Sequence, residues 1–80
     1  MTRIVLVEPQ HPGNVGAVAR AMVNFAIDDL ALVKGCEIDD DGYARSKSGK
    51  PILENLSRFD TLKEALADCD VAIATSGIKP

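Results

Sequence analysis

The stretch His11-Pro12-Gly13-Asn14-Val15-Gly16-Ala17-Val18-Ala19-Arg20 decides the fold. It follows Ile4-Val5-Leu6-Val7, an unbroken apolar run that reads as a strand buried on both faces. It opens a helical periodicity that continues to about Ala26. Pro9, Pro12 and Gly13 punctuate the turn between the two. Asn14 is in position to cap the helix, its side-chain oxygen accepting from a backbone N–H of the first turn. The expectation is therefore a strand over 3–8 and a helix over 14–26.

At 3.6 residues per turn, Val15, Val18, Ala19, Met22, Phe25 and Ala26 share one stripe, the face expected against a sheet. Arg20 and Asn24 fall near the opposite pole, flanked by Gly16 and Ala17. An arginine among such small neighbours leaves room for a molecule to come close. The plainer alternative is a solvated helix arginine.

Leu30-Ala31-Leu32-Val33 is a second apolar run of strand length, ended by Lys34-Gly35. Two strands joined by a helix make a βαβ unit, with parallel strands and a right-handed crossover. From Glu37 to Gly49 the chain turns polar. Asp39, Asp40 and Asp41 suit the start of a short helix through Tyr43-Ala44-Arg45, and Arg45 and Lys47 suit its end. Three consecutive aspartates on a helix point in different directions and have no other ligand cluster beside them, so no metal is expected. Arg45, Lys47 and Lys50, interleaved with Ser46, Ser48 and Gly49, read either as a solvated loop or as contacts to a phosphate backbone.

Pro51 to Asn55 reads as a helical turn with proline first, and Ser57-Arg58-Phe59-Asp60 as a short strand at best. Thr61-Leu62-Lys63-Glu64 is a capping box, opening a helix to about Asp68. Asp70 to Thr75 is the next buried strand, and Thr75-Ser76-Gly77 stands at its carboxyl end. The order β-α-β-(α)-β-α-β is that of an open, mainly parallel α/β sheet with flanking helices. Such sheets bind ligands outside the carboxyl ends of their strands, where loops 9–14 and 75–77 both lie. The sequence stops at Lys79-Pro80 with the last sheet edge uncovered, the look of half of a larger α/β domain.

Eighty residues suffice for one small domain, and with no Trp and few aromatics its core must be aliphatic. A net charge of −3 argues against a freestanding non-specific nucleic-acid binder, which usually carries a basic face or stripe, and leaves RNA contact to a local patch or to a missing part of the chain. Cys36 and Cys69 stand far apart, without a CxxC pair, and read as two reduced thiols. The apolar run at the amino terminus is too short for a signal sequence, and no run approaches the roughly 20 residues of a membrane span. The expectation is a soluble, cytoplasmic protein with no membrane contact.

Neither a dinucleotide glycine fingerprint nor a phosphate-binding P-loop is present, and Lys34-Gly35 stands where a ribose-binding acid would. His11, the sole histidine, can meet a ligand or solvent. Glu8 can accept from a ligand or, as the favoured reading, brace the 9–14 turn by accepting backbone N–H bonds.

The run from Ile4 to Met22 resembles the first motif of the SpoU/TrmH-type RNA 2′-O-ribose methyltransferases, and is most similar to the TrmJ-like tRNA/rRNA branch. Phe59 to Asp70 and the following Thr75-Ser76 resemble the same branch in order and spacing. The resemblance implies the amino-terminal half of a SPOUT-class α/β domain over residues 1–80, with the knotted part absent. It implies S-adenosylmethionine as methyl donor, a homodimer, and RNA as partner, tRNA before rRNA. It assigns Asn14 and Arg20 to catalysis and Thr75, Ser76 and Gly77 to the donor pocket. Gly77 and Ile78 stand where the family usually has a small residue and then an arginine.

That chemistry suits an arginine. A guanidinium stays protonated and is a poor base, but it can hold a phosphate and stabilise a developing alkoxide. Asn14 would then fix the arginine or the helix start. Arg20, His11, Arg45, Lys47 and Lys50 are the candidate RNA contacts. The rival from another class is a non-catalytic α/β module that docks RNA or a protein.

Overall fold

The computed structural model describes residues 2–9 and 11–67, and the backbone alone of 71–76. The elements are β1 (Thr2–Val7), α1 (Pro12–Asn24), β2 (Asp29–Val33), α2 (Asp40–Ser46), a 3₁₀ turn (Lys47–Gly49), α3 (Lys50–Glu54), β3 (Ser57–Phe59), α4 (Leu62–Leu66) and β4 (Val71–Ser76). The strands form one sheet in the order β3-β2-β1-β4, and every pairing is parallel. The open parallel α/β sheet expected from the sequence is present.

Alternation along the strands sorts the core into two layers. Leu6, Leu30 and Leu32 face Val15, Ala19 and Met22 of α1 and Ile52 and Leu53 of α3. Val5, Ala31 and Val33 lie on the other face, under Ala65 of α4. Burial on both faces explains why these strands read as continuous apolar runs rather than alternating ones.

Helix α1 starts earlier than the capping argument predicts. Its N-cap is His11, with no side-chain cap, and Pro12 takes the first turn. Proline has no N–H to leave unpaired and its φ is already helical, so it outcompetes Asn14 as the start. The Asn14 and Val15 amides both donate to the His11 carbonyl, at 3.0 and 3.3 Å.

The other end of α1 also differs. Ile27 N donates to the Met22 carbonyl at 3.1 Å and Ala26 N to the Val23 carbonyl at 3.2 Å, with Ala26 at φ 56. This is a Schellman stop, with Ile27 packed against the core cluster that contains Met22. It turns the chain before Phe25 and Ala26 can join the buried stripe, so Phe25 is 74 % exposed.

The stretch from Arg45 to Lys50 is helical rather than a loop. Asp39 caps α2, accepting from Gly42 N at 2.9 Å, as the run of aspartates suggested. Lys47, at φ 52, marks the end of α2, and the 3₁₀ turn leads straight into α3. Ser46 is fully buried, its hydroxyl donating to the Tyr43 carbonyl at 2.6 Å.

Thr61 and Glu64 form the expected capping box, with Glu64 N on the Thr61 hydroxyl at 3.2 Å and Thr61 N on the Glu64 carboxylate at 3.1 Å. Helix α4 is described to Leu66; Asp68, where its end was expected, lies outside the described residues. Strand β4 extends through Ser76, so Thr75 and Ser76 belong to the strand and not to a loop after it. Asp70, Cys69 and Gly77 lie outside the described residues.

One residue the sequence did not single out ties several elements together. Arg3 is buried, its Nε 3.1 Å from the Asp29 carboxylate. Its Nη1 donates to the Ala65 carbonyl at 2.7 Å, and its guanidinium lies 5.5 Å from the centre of the Phe59 ring. It thus joins β1, β2, β3 and α4. No helix among the described residues is long and apolar enough to cross a membrane.

Candidate nucleic-acid interface

The strand order reverses between β1 and β4: from β1 the chain proceeds outward to β2 and β3, then returns to the other side of β1. Ligand crevices of open parallel sheets form at such a reversal, beyond the carboxyl ends. The register sets Val7 against Ser76 and Leu6 against Thr75, so both strands end side by side. The adjacent exits of β1 and β2 are sharp. Glu8 and Lys34 both take φ 52, while their amides extend the ladder to the Val33 and Phe59 carbonyls at 2.8 and 3.0 Å. Glu8 therefore shapes this edge through its backbone. Among the described residues its exposed carboxylate accepts no hydrogen bond, contrary to the bracing expected of it.

Helix α1 leaves that edge at Pro12. His11, Pro12, Gly13 and Asn14 line a cavity of about 270 Å³ together with Asp39, Asp41 and Arg45. A second cavity, of about 460 Å³, lies further along α1 and is lined by Ala17, Arg20, Ala44, Arg45 and Lys47. Arg45 belongs to both.

Arg20 is exposed and faces away from the sheet. Among the described residues it makes no ion pair. Asn14 does not fix it. Six residues along a helix separate the two by about 9 Å of rise and about one and two-thirds turns. They open into different cavities, linked only by Arg45.

The small face of α1 is also only half open. Ala17 is exposed, but Gly16 is buried, because a Cβ on it would meet the Gly42 carbonyl group of α2. A Cβ on Gly49 would likewise lie 2.6 Å from the Ala19 backbone. These backbone-to-backbone approaches bring α2 and the 3₁₀ turn against α1, and so bring Arg45 and Lys47 beside Arg20. Lys50, grouped with them in the sequence, begins α3 and does not line the cavity.

Arg45 Nε lies 3.1 Å from Asp41 Oδ2, one helical turn before it. Both side chains are more than half exposed, so the pair contributes at most about 1 kcal/mol. Nothing among the described residues gathers three His, Cys, Asp or Glu side chains around a point where a metal could sit.

The profile of the SpoU rRNA Methylase family matches residues 1–80. The chain belongs to the SpoU rRNA methylase family. Its SpoU relatives include the tRNA (cytidine-2′-O-)-methyltransferase TrmJ of Methanocaldococcus jannaschii, 38% identical over 99% of this chain and 35% of the relative. The tRNA (cytidine/uridine/adenosine-2′-O-)-methyltransferase TrmJ of Pseudomonas aeruginosa is 43% identical over 92% of this chain and 29% of its own length. A probable methylase family protein of Haemophilus influenzae superposes with a TM-score of 0.81 at 39% identity, over 86% of this chain and 30% of that one. TrmJ from Z. mobilis gives 0.79 at 37% identity, over 86% of this chain and 32% of its own. This SpoU-family chain thus spans about a third of the length of the curated relatives it matches.

Proposed function

We propose that residues 1–80 form the amino-terminal part of the SPOUT domain of a 2′-O-ribose RNA methyltransferase. It uses S-adenosylmethionine, acts on tRNA before rRNA, and works in the cytoplasm as a homodimer. Membership of the family over the whole chain supports the reaction class. The two TrmJ relatives, both described as tRNA 2′-O-methyltransferases, support the substrate.

The observation that carries the reading is the state of Arg20. It is an exposed guanidinium with no ion pair among the described residues, above the small side chain of Ala17 and in a cavity with no carboxylate on its wall. A ribose 2′-hydroxyl is a weak nucleophile and must give up its proton as it is methylated. A guanidinium is a poor base and is not the group that takes that proton. Arg20 holds the adjacent phosphate through charge-assisted hydrogen bonds and offsets the charge growing on the 2′-oxygen. The proton leaves to the phosphate or to water. Asn14 and His11, on the adjoining cavity, contact the nucleotide nearer the sheet edge.

The donor brings an electrophilic methyl group when bound. The side-by-side carboxyl ends of β1 and β4 fit one wall of its pocket, with Thr75 and Ser76 in register at the strand reversal and Gly77 following. Parallel strand ends there present main-chain groups toward a nucleoside-like ligand.

The test is Arg20→Ala in the intact protein. Methyl transfer to tRNA should fall at least about a hundredfold, in line with loss of a group that stabilises transition-state charge. S-adenosylmethionine affinity by calorimetry should stay within about twofold. Undiminished methyl transfer would remove Arg20 from catalysis and leave this face as an RNA-docking surface.

A further inference from the structure

Arg45 occupies the seam between the two cavities, and its charge is partly answered by Asp41. Arg20 and Lys47, which share its second cavity, make no ion pair among the described residues. Three cations therefore converge on a space floored by Ala17 and Ala44, whose methyl groups can neither pair with them nor fill it. This is a local concentration of positive charge in a chain whose net charge is −3. Like charges held around a common space repel, and an anion entering it relieves all three at once.

We infer that Arg45 and Lys47 seat a second RNA backbone phosphate beside the one held by Arg20, and that Asp41 is the internal counter-ion which this phosphate displaces from Arg45. The inference rests on the RNA reading above and deepens it.

Two observations favour a strand over a small free anion. The two cavities lie on either side of Arg45, so they line up as a track from His11 and Asn14 to Lys47. Their linings differ along it: where α1 begins, the carboxylates of Asp39 and Asp41 stand beside Arg45 and suit the hydroxyl and amino groups of a nucleoside, and the far end holds three cations and no carboxylate. A nucleotide followed by its phosphates has that same order. The Asp41–Arg45 pair is exposed and rests on Gly13, where a Cβ would come within 3.0 Å of Asp41 Oδ2 and 3.1 Å of Arg45 Nε. The bare glycine leaves the pair free to change partners without moving backbone. Lys50, one residue past the 3₁₀ turn, is outside the track.

The experiment is tRNA binding by the intact protein as a function of salt, with the melting temperature of each variant checked first. The double variant Arg45→Gln/Lys47→Gln should flatten the slope of log K against log salt by about 0.7 to 0.9, the loss of one phosphate contact. Lys50→Gln should leave the slope unchanged. Asp41→Asn should tighten binding about two- to fivefold, the range set by an exposed ion pair. Asp40→Asn, with the same change in net charge, should not. The gain from Asp41→Asn should vanish when Arg45 is already glutamine. A gain that persists without Arg45, or a slope that answers to Lys50 as much as to Arg45 and Lys47, overturns the inference. Absence of tRNA binding by the unaltered protein overturns the RNA reading itself.

Discussion

Gly16 of α1 and Gly42 of α2 meet backbone to backbone: a Cβ placed on Gly16 would enter the Gly42 carbonyl group. Backbone on both sides leaves no side chain that could swing away. Gly16→Ala should therefore cost about 1–3 kcal/mol, the usual range for overpacking. Gly13→Ala meets only the mobile ends of Asp41 and Arg45 and should cost less. Thermal unfolding of the two variants side by side checks the order. On the proposed RNA reading, Gly16→Ala should also weaken tRNA binding by the intact protein, since it displaces the helix that carries Arg45.

Met22 and Phe25 are both apolar and fall on the same helical stripe in projection, yet only Met22 is buried. Met22→Ala should destabilise by about 2–5 kcal/mol. Phe25→Ala should stay within about 0.5 kcal/mol, as for an ordinary surface change. Urea unfolding distinguishes the two, and a large loss at Phe25 would contradict the Schellman stop.

Arg3 and Asp29 form a nearly buried pair across β1 and β2. Arg3→Met strands the Asp29 carboxylate and removes one donor from the Ala65 carbonyl, and should cost about 3 kcal/mol or more. Adding Asp29→Leu should recover part of that loss, because the uncompensated charge goes with it. Denaturant midpoints of the single and double variants test this. If the double variant is weaker than Arg3→Met by the full cost of Asp29→Leu alone, the two residues are not coupled.

Thr61 caps α4, which carries both the buried Ala65 and the carbonyl that Arg3 holds. Thr61→Ala should cost about 1 kcal/mol. The first sign should be faster amide exchange in 64–66, since a five-residue helix has little stability apart from its cap and its packing.

Much of this was legible in the residues. The apolar runs at 4–7 and 30–33, the capping aspartate at 39 and the Thr61–Glu64 box each act within a few residues of themselves. They appear where the sequence puts them. The misreadings have local causes too. Two helix-starting signals, Pro12 and Asn14, competed, and proline prevailed through its fixed φ. Ala26 is not a residue one expects at positive φ, so nothing in the pattern announced where α1 turns away.

The sequence by itself determined the order of elements, the parallel sheet and the family, because periodicity, capping and motif spacing are properties of neighbours along the chain. Only the tertiary structure decided which residues face one another. It set Arg45 and Lys47 beside Arg20, left Lys50 out and buried Arg3 on Asp29. Those outcomes depend on how closely α1 and α2 can approach through Gly16, Gly42 and Gly49. Such fits are made across stretches well apart in the chain, where no local pattern reports them.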